Sequence, residues 1–189
     1  MRLTDDRYAS ERRQFELALR MIRHEARTST IRTCTGLSDD RIRKAYVTYF
    51  RNAGSADVRR RRGKSPRQVT HFVKNPQHQL QATTLVALFS IGQLLTIGKA
   101  NKVSPCWPRP DVEFGHRVCR AFETYLALHR RPRLSFEWAW SLLLAITYND
   151  ELYLASCGGC AAVYVQDAYA IDHRICPACT ISSGRSGCQ

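Results

Sequence analysis

No apolar run in the 189-residue chain reaches the length of a membrane span. The opening residues, Met1-Arg2-Leu3-Thr4-Asp5-Asp6, hold no hydrophobic segment of the signal-peptide kind. The expectation is a cytoplasmic protein with reduced thiols, in a compartment where structural disulfides do not persist. Acidic residues are scarce, 16 Asp and Glu against 29 Lys and Arg. The carboxylates fall mostly at helix ends or on exposed faces, and no Ser/His/Asp or Cys/His grouping has a local catalytic signature. A non-enzyme is expected. A nucleotide loop is missing too: Gly63-Lys64-Ser65 looks like the end of one, but the glycine required five residues earlier is Val58.

What is present is a basic chain with enough apolar residues, 44%, to pack a core. The net charge of +13 is unevenly spread. Residues 1–80 hold 19 Lys and Arg against 8 Asp and Glu, whereas residues 81–189 hold 10 against 8. A half this basic suits a polyanion, most simply nucleic acid; the bland alternatives are a solvated surface or an acidic protein partner.

Four cysteines form two Cys-x-x-Cys knuckles, Cys157-Gly158-Gly159-Cys160 and Cys176-Pro177-Ala178-Cys179, with fifteen residues between them. That spacing suits a four-thiolate zinc site, in which each knuckle places two sulfurs on one tetrahedral ion. Gly158 and Gly159 ease the first bend and Pro177 stiffens the second. Between the knuckles, Ala161–Val165 is β-prone and 171–175 alternates apolar and polar, so strand, turn, strand is expected, as in a zinc ribbon. His173 reads as a strand residue, not a ligand. Four thiolates leave no open position for water, which makes one structural Zn²⁺ per chain the reading. A redox Cys-x-x-Cys would need a βαβ pattern, and none is present. Cys34, Cys106, Cys119 and Cys188 are too scattered for a second site.

The remaining chain reads as helices. Residues 5–26 form an amphipathic helix burying Phe15, Ala18, Leu19, Met21 and Ile22. Thr28–Tyr46 reads as short helix, tight turn, second helix. Gly36 is the left-handed turn residue, Ser38 the N-cap, and Ile31, Leu37, Ile42 and Ala45 the apolar wedge. Such a helix-turn-helix would present Arg41, Arg43 and Lys44 to a duplex. Arg32 stands where a small residue is usual, and a plain αα-hairpin is the alternative. Arg59, Arg60, Arg61 and Arg62 form a basic run in a loop, able to clamp phosphates or to remain a solvated tether. Residues 68–80 read as an ordered loop with structural or exposed His71 and His78. Helices follow over 79–100, 111–129 and 135–149. The last is apolar on nearly every side, which suggests a partner contact beyond core packing. The parts are thus 1–52, first helix and helix-turn-helix; 53–80, basic loop; 81–151, helical partner-binding region; 152–180, zinc-binding region; and 181–189, tail. The fold class is mainly α, a helical domain with an N-terminal helix-turn-helix and a small C-terminal, ribbon-like β element holding zinc on four cysteines.

This order of parts resembles the flagellar transcriptional activator FlhC family. The resemblance is carried by Glu25-Ala26-Arg27, Thr35-Gly36-Leu37-Ser38, Arg41-Ile42, Lys44, Tyr46, the Trp138-Ala139-Trp140 helix and the paired knuckles, and it extends over nearly the whole chain. It implies a hetero-oligomer with a smaller helical partner, FlhD, that binds promoter DNA of flagellar operons and recruits RNA polymerase. It also implies zinc on Cys157, Cys160, Cys176 and Cys179. Two features depart from the family: only residues 180–189 follow Cys179, and the arginine run at 59–62 is not a hallmark. A zinc-centred assembly scaffold that touches no DNA is the alternative from another class, and a zinc-dependent RNA-binding protein is a third.

Overall fold

A computed structural model of the chain describes residues 2–51, 58–61, 68–148, 151–170 and 175–185. They fall into two compact units that interleave in sequence. One comprises Met1–Ser65 with Trp107–Arg120, the other Pro66–Cys106 with Ala121–Gln189.

The first unit contains α1 (Arg2–Arg23), α2 (Thr28–Thr35) and α3 (Asp39–Tyr46), followed by a π-helical turn over Val47–Arg51. Its apolar stripe on α1 is Leu17, Ala18, Met21 and Ile22, all buried. Phe15 and Leu19 are only half-buried. The buried face is therefore turned from the expected one, and Phe15 instead meets the Tyr49 ring edge-on at 5.6 Å. Helix α1 ends before residue 26 because Glu25 is left-handed (φ 58°) and the Ala26 amide bonds back to the Met21 carbonyl at 3.0 Å. Between α2 and α3, Gly36 takes φ 70°, and its N–H closes α2 on the Arg32 carbonyl at 2.8 Å. Ser38 Oγ then accepts the Arg41 amide at 3.4 Å, with Asp39 and Asp40 in the first turn of α3. The expected wedge of Ile31, Leu37, Ile42 and Ala45 is buried.

The start of α6 (Val112–Leu128) completes this unit, adding Phe114, Val118 and Cys119 to its core. Asp111 begins it, accepting the Phe114 amide at 2.8 Å. At Gly115 the helices approach so closely that a Cβ would lie 2.5 Å from Leu17 Cδ2 and 3.0 Å from Cys34 Cβ.

The second unit carries α4 (Thr70–Val73), α5 (Pro76–Ile91), the end of α6, α7 (Phe136–Tyr148), α8 (Pro177–Arg185) and two hairpins. Strand β1 (Leu95–Ile97) pairs antiparallel with β2 (Val103–Pro105), and β3 (Leu152–Ser156) with β4 (Val163–Asp167). Two expectations are corrected here. Residues 68–80 are largely helical, because Asn75 caps α5, its side chain accepting the His78 amide at 3.0 Å, and Pro76 suits the first helical turn. The helix expected over 79–100 stops at Ile91: Gln93 turns left-handed (φ 56°), and the Leu94 amide bonds back to the Phe89 carbonyl at 2.9 Å. The β1–β2 turn then places Ala100 and Asn101 at φ 54° and 59°.

Helix α7 buries Phe136, Ala139, Trp140, Leu142, Leu143, Ala145 and Ile146 against its own chain. A partner is thus not needed to cover it, and its apolar character alone no longer argues for one. His71 lies flat on Trp138, with ring centroids 3.8 Å apart, so this histidine is structural. Two side chains of α5 reach the outer edge of β4: Thr83 Oγ1 accepts the Val165 amide at 3.1 Å, and Gln79 Nε2 donates to the Val165 carbonyl at 2.9 Å. Among the described residues, no helix is long and apolar enough to cross a membrane.

Candidate metal centre and basic surface

The first knuckle sits at the β3–β4 turn. Cys157 follows directly on β3; its amide bonds to the Ala162 carbonyl, and the Ala161 amide returns to the Cys157 carbonyl, each at 2.9 Å. The left-handed residue of this turn is Ala161 (φ 60°). A Cβ on Gly159 would meet Cys157 Sγ at 3.8 Å and Cys179 Sγ at 4.0 Å, which is ordinary contact. The bend expected of the glycines is thus made at Ala161.

The second knuckle is built differently from the expected ribbon. Cys176 immediately precedes α8, its carbonyl accepting the Thr180 amide at 3.0 Å, and Pro177 occupies the first helical position. Cys179 lies in the first turn of α8. The strand between the knuckles, β4, pairs with β3, which precedes the first knuckle. The expected second strand falls on 171–175, of which 171–174, including His173, lie outside the described residues.

The four Sγ atoms of Cys157, Cys160, Cys176 and Cys179 all lie within 4.8 Å of one another. Cys160 and Cys176, from opposite knuckles, are 3.6 Å apart at sulfur. A tetrahedral ion with bonds of ~2.3 Å would place its sulfurs roughly 3.8 Å apart, so the cluster fits a single metal ion and is consistent with one zinc. Cys157 and Cys176 are buried, Cys179 is half-buried and Cys160 exposed. Backbone amides point at the sulfurs: Cys176 N to Cys157 Sγ at 3.2 Å, Gly159 N to Cys157 Sγ at 3.4 Å, and Cys179 N to Cys176 Sγ at 3.5 Å. Such donors stabilise negative sulfur and orient the ligand atoms. The amide of Cys176, then that of Cys160, hold the Cys157 thiol down to about 6. The neighbouring thiols, Cys160 first and then Cys176, push Cys179 up to about 12. Cys157 is thus held ready to ionise, whereas a dication must displace the Cys179 proton on binding. Tyr164 is buried against Cys157 and Cys176 and walls the site on its protein side. Sequence spacing identified the ligands, whereas the amide donors have no sequence signal.

The basic candidates are spread over the first unit. Arg41, Arg43 and Lys44 are exposed on α3, whereas Ile42 and Ala45 are buried. Arg41 approaches Glu11 of α1 at 3.9 Å, and Arg43 pairs with Asp40 at 3.2 Å. Arg32, unusual at its position, swings outward and bonds Asp39 at 3.1 Å, so its length does not hold the two helices apart. Residues 58–61 are not a free tether. The Arg59 amide and the Arg61 guanidinium both bond the Glu25 carboxylate, at 3.3 and 2.8 Å, and Arg60 reaches Thr28 Oγ1 at 3.3 Å. The Val58 carbonyl accepts the Tyr46 hydroxyl at 3.0 Å. Arg62 lies outside the described residues. The run is thus laid along the corner between α1 and α2, with Arg59 and Arg61 exposed and Arg60 half-buried. Glu25, the residue that fixes this course, carried no sequence signal for it.

No family model matches the chain, and no curated protein matches it.

Proposed function

We propose that the chain is a DNA-binding transcriptional activator of flagellar operons. It acts in a hetero-oligomer with a small helical, FlhD-like partner, recruits RNA polymerase and carries one Zn²⁺ on Cys157, Cys160, Cys176 and Cys179. The observation that carries this reading is the division of α3. Its Ile42 and Ala45 are sunk into the first unit, while Arg41, Arg43 and Lys44 stand exposed on a short helix that follows a glycine turn and a serine cap. A helix so placed can enter a major groove, where arginine reads guanine edges and lysine meets phosphate. The docked arginines at 59–61 add positive charge to the same unit. The resemblance to the FlhC family supplies the partner, the polymerase and the class of promoter. The role of the metal is structural, since four thiolates leave no position for a substrate.

The test is duplex binding by the complex of this chain with its helical partner, measured across a salt series. The double substitution Arg41→Ala, Arg43→Ala is expected to weaken promoter affinity by roughly tenfold or more, with assembly and metal content unchanged. Unchanged affinity removes the reading of α3. One observation favours a zinc-centred scaffold instead: Arg41 and Arg43 each have an acidic neighbour, Glu11 and Asp40, that partly neutralises them. A complex that assembles fully yet shows no salt-dependent duplex binding would select that alternative.

A further inference from the structure

The second unit has a solvent-open cavity of about 390 Å³ whose walls include Arg130, Arg131, Arg133, His129, Gln77 and Gln81. No carboxylate lines it among the described residues. Three exposed arginines around one cavity make a local excess of positive charge that favours an anion. The arginine side chains form no ion pair among the described residues.

The cavity is also built, not incidental. Gln81 is buried and knots the turn that bears the arginines: its Nε2 donates to the Arg131 carbonyl at 3.1 Å, and its Oε1 accepts the Arg133 amide at 2.8 Å. The Tyr125 hydroxyl, fully buried, donates to the same Oε1. It also accepts the amides of Arg133 and Leu134 at 3.0 and 3.1 Å. Pro132 stiffens the turn between the two arginines. The backbone at 131–134 is therefore fixed, so the guanidinium groups emerge from a rigid support.

We infer that this cavity is an oxyanion site that takes a phosphate group, held by the guanidinium forks of Arg130, Arg131 and Arg133. Arginine is the side chain whose planar donors match phosphate oxygens in pairs. The volume lies within the range of small-ligand pockets, wide enough for a phosphate with a nucleoside attached. A phosphate of a nucleic-acid backbone presents the same chemistry. The site stands on its own residues and does not depend on the reading of α3.

The experiment uses the full chain, with its helical partner if that is needed for solubility, in wild-type form and as Arg131→Gln, Arg133→Gln. These side chains project from the turn, and the Gln81 bonds go to backbone atoms, so the variant keeps its fold; its circular dichroism and metal content check this. Inorganic phosphate and a 5′-mononucleotide are titrated by calorimetry, and a duplex by salt-dependent binding. Binding of phosphate or mononucleotide that falls at least tenfold in the variant, with duplex affinity unchanged, assigns the site to a small phosphorylated ligand. A duplex affinity that falls in the variant, with a salt slope shallower by about two, assigns it to backbone phosphates. Phosphate, mononucleotide and duplex all bound equally by both proteins, or bound by neither, overturns the inference. Arg41→Ala, Arg43→Ala run beside it separates failure of this site from failure of α3.

Discussion

Cys160 Sγ and Cys176 Sγ stand 3.6 Å apart, although they belong to different knuckles and one lies on a hairpin turn while the other precedes a helix. Two unlike pieces of secondary structure are thus brought to bonding range of one ion. Removing the metal is expected to free α8 and the β3–β4 turn from one another while leaving the helical core intact. Chelation, or Cys176→Ala, should lower metal from one ion per chain to near none. It should also raise hydrogen exchange at 157–162 and 176–181 first. Metal content by mass spectrometry with exchange mapping checks this, and an unchanged metal content in Cys176→Ala would contradict the four-thiolate site.

Metal affinity should fall as pH falls. Cys157, at about 6, is largely ionised at neutral pH, whereas Cys179, pushed to about 12, must surrender its proton on binding. Acid restores protons that the ion has to displace, so the sign is weaker binding at lower pH. Competition with a chromophoric chelator between pH 6 and 8 measures it, and a flat profile would contradict the protonated state of Cys179.

Tyr125→Phe removes the acceptor of the buried Leu134 amide, while the Arg133 amide keeps Gln81 Oε1. Leaving buried donors unsatisfied costs ~1–3 kcal/mol, so a lower midpoint of urea denaturation is expected at unchanged slope. No loss would mean that the Leu134 amide finds water in solution.

His78 is expected to make stability pH-dependent. Burial first, then the charges of Lys74, His71 and Arg133, lower its pKa from 6.5 to about 4. The unfolded chain therefore binds the proton more readily, and stability falls as pH drops from about 6.5 towards 4. His78→Gln should flatten that part of the profile. An equally steep fall in the variant would assign the acid sensitivity to other groups.

Gly115→Ala places a methyl 2.5 Å from Leu17 Cδ2 and 3.0 Å from Cys34 Cβ. Overpacking costs ~1–3 kcal/mol, and helix propensity returns about 1, so a net loss of order 1 kcal/mol is expected. Gly115→Val should lose more. A stabilised alanine variant would show that Leu17 has room to turn.

The parts of the structure that the sequence announces are those with local causes. The Cys-x-x-Cys spacing marks the sulfur cluster. Gly36 and Ser38 mark the α2–α3 turn, and Asp111 and Ser135 stand just before α6 and α7. What could not be read has its cause elsewhere in the chain. Leu94 and Leu95 look like a continuing helix, yet the left-handed Gln93 ends it and Leu95 opens β1. Phe15 looks like core, but its place on α1 is decided by Tyr49. The course of Arg59–Arg61 depends on Glu25, more than thirty residues away in sequence. Ala161 offers no hint that it, and not the adjacent glycines, would take the left-handed turn.

The bonds from Thr83 and Gln79 to Val165 bear on aggregation. A lone two-stranded hairpin ordinarily presents an open row of amides and carbonyls to which another polypeptide can add. Here Val165 has its outward N–H and C=O taken by α5. Even after demetallation, growth of fibrils from that side of β4 is blocked at its middle residue.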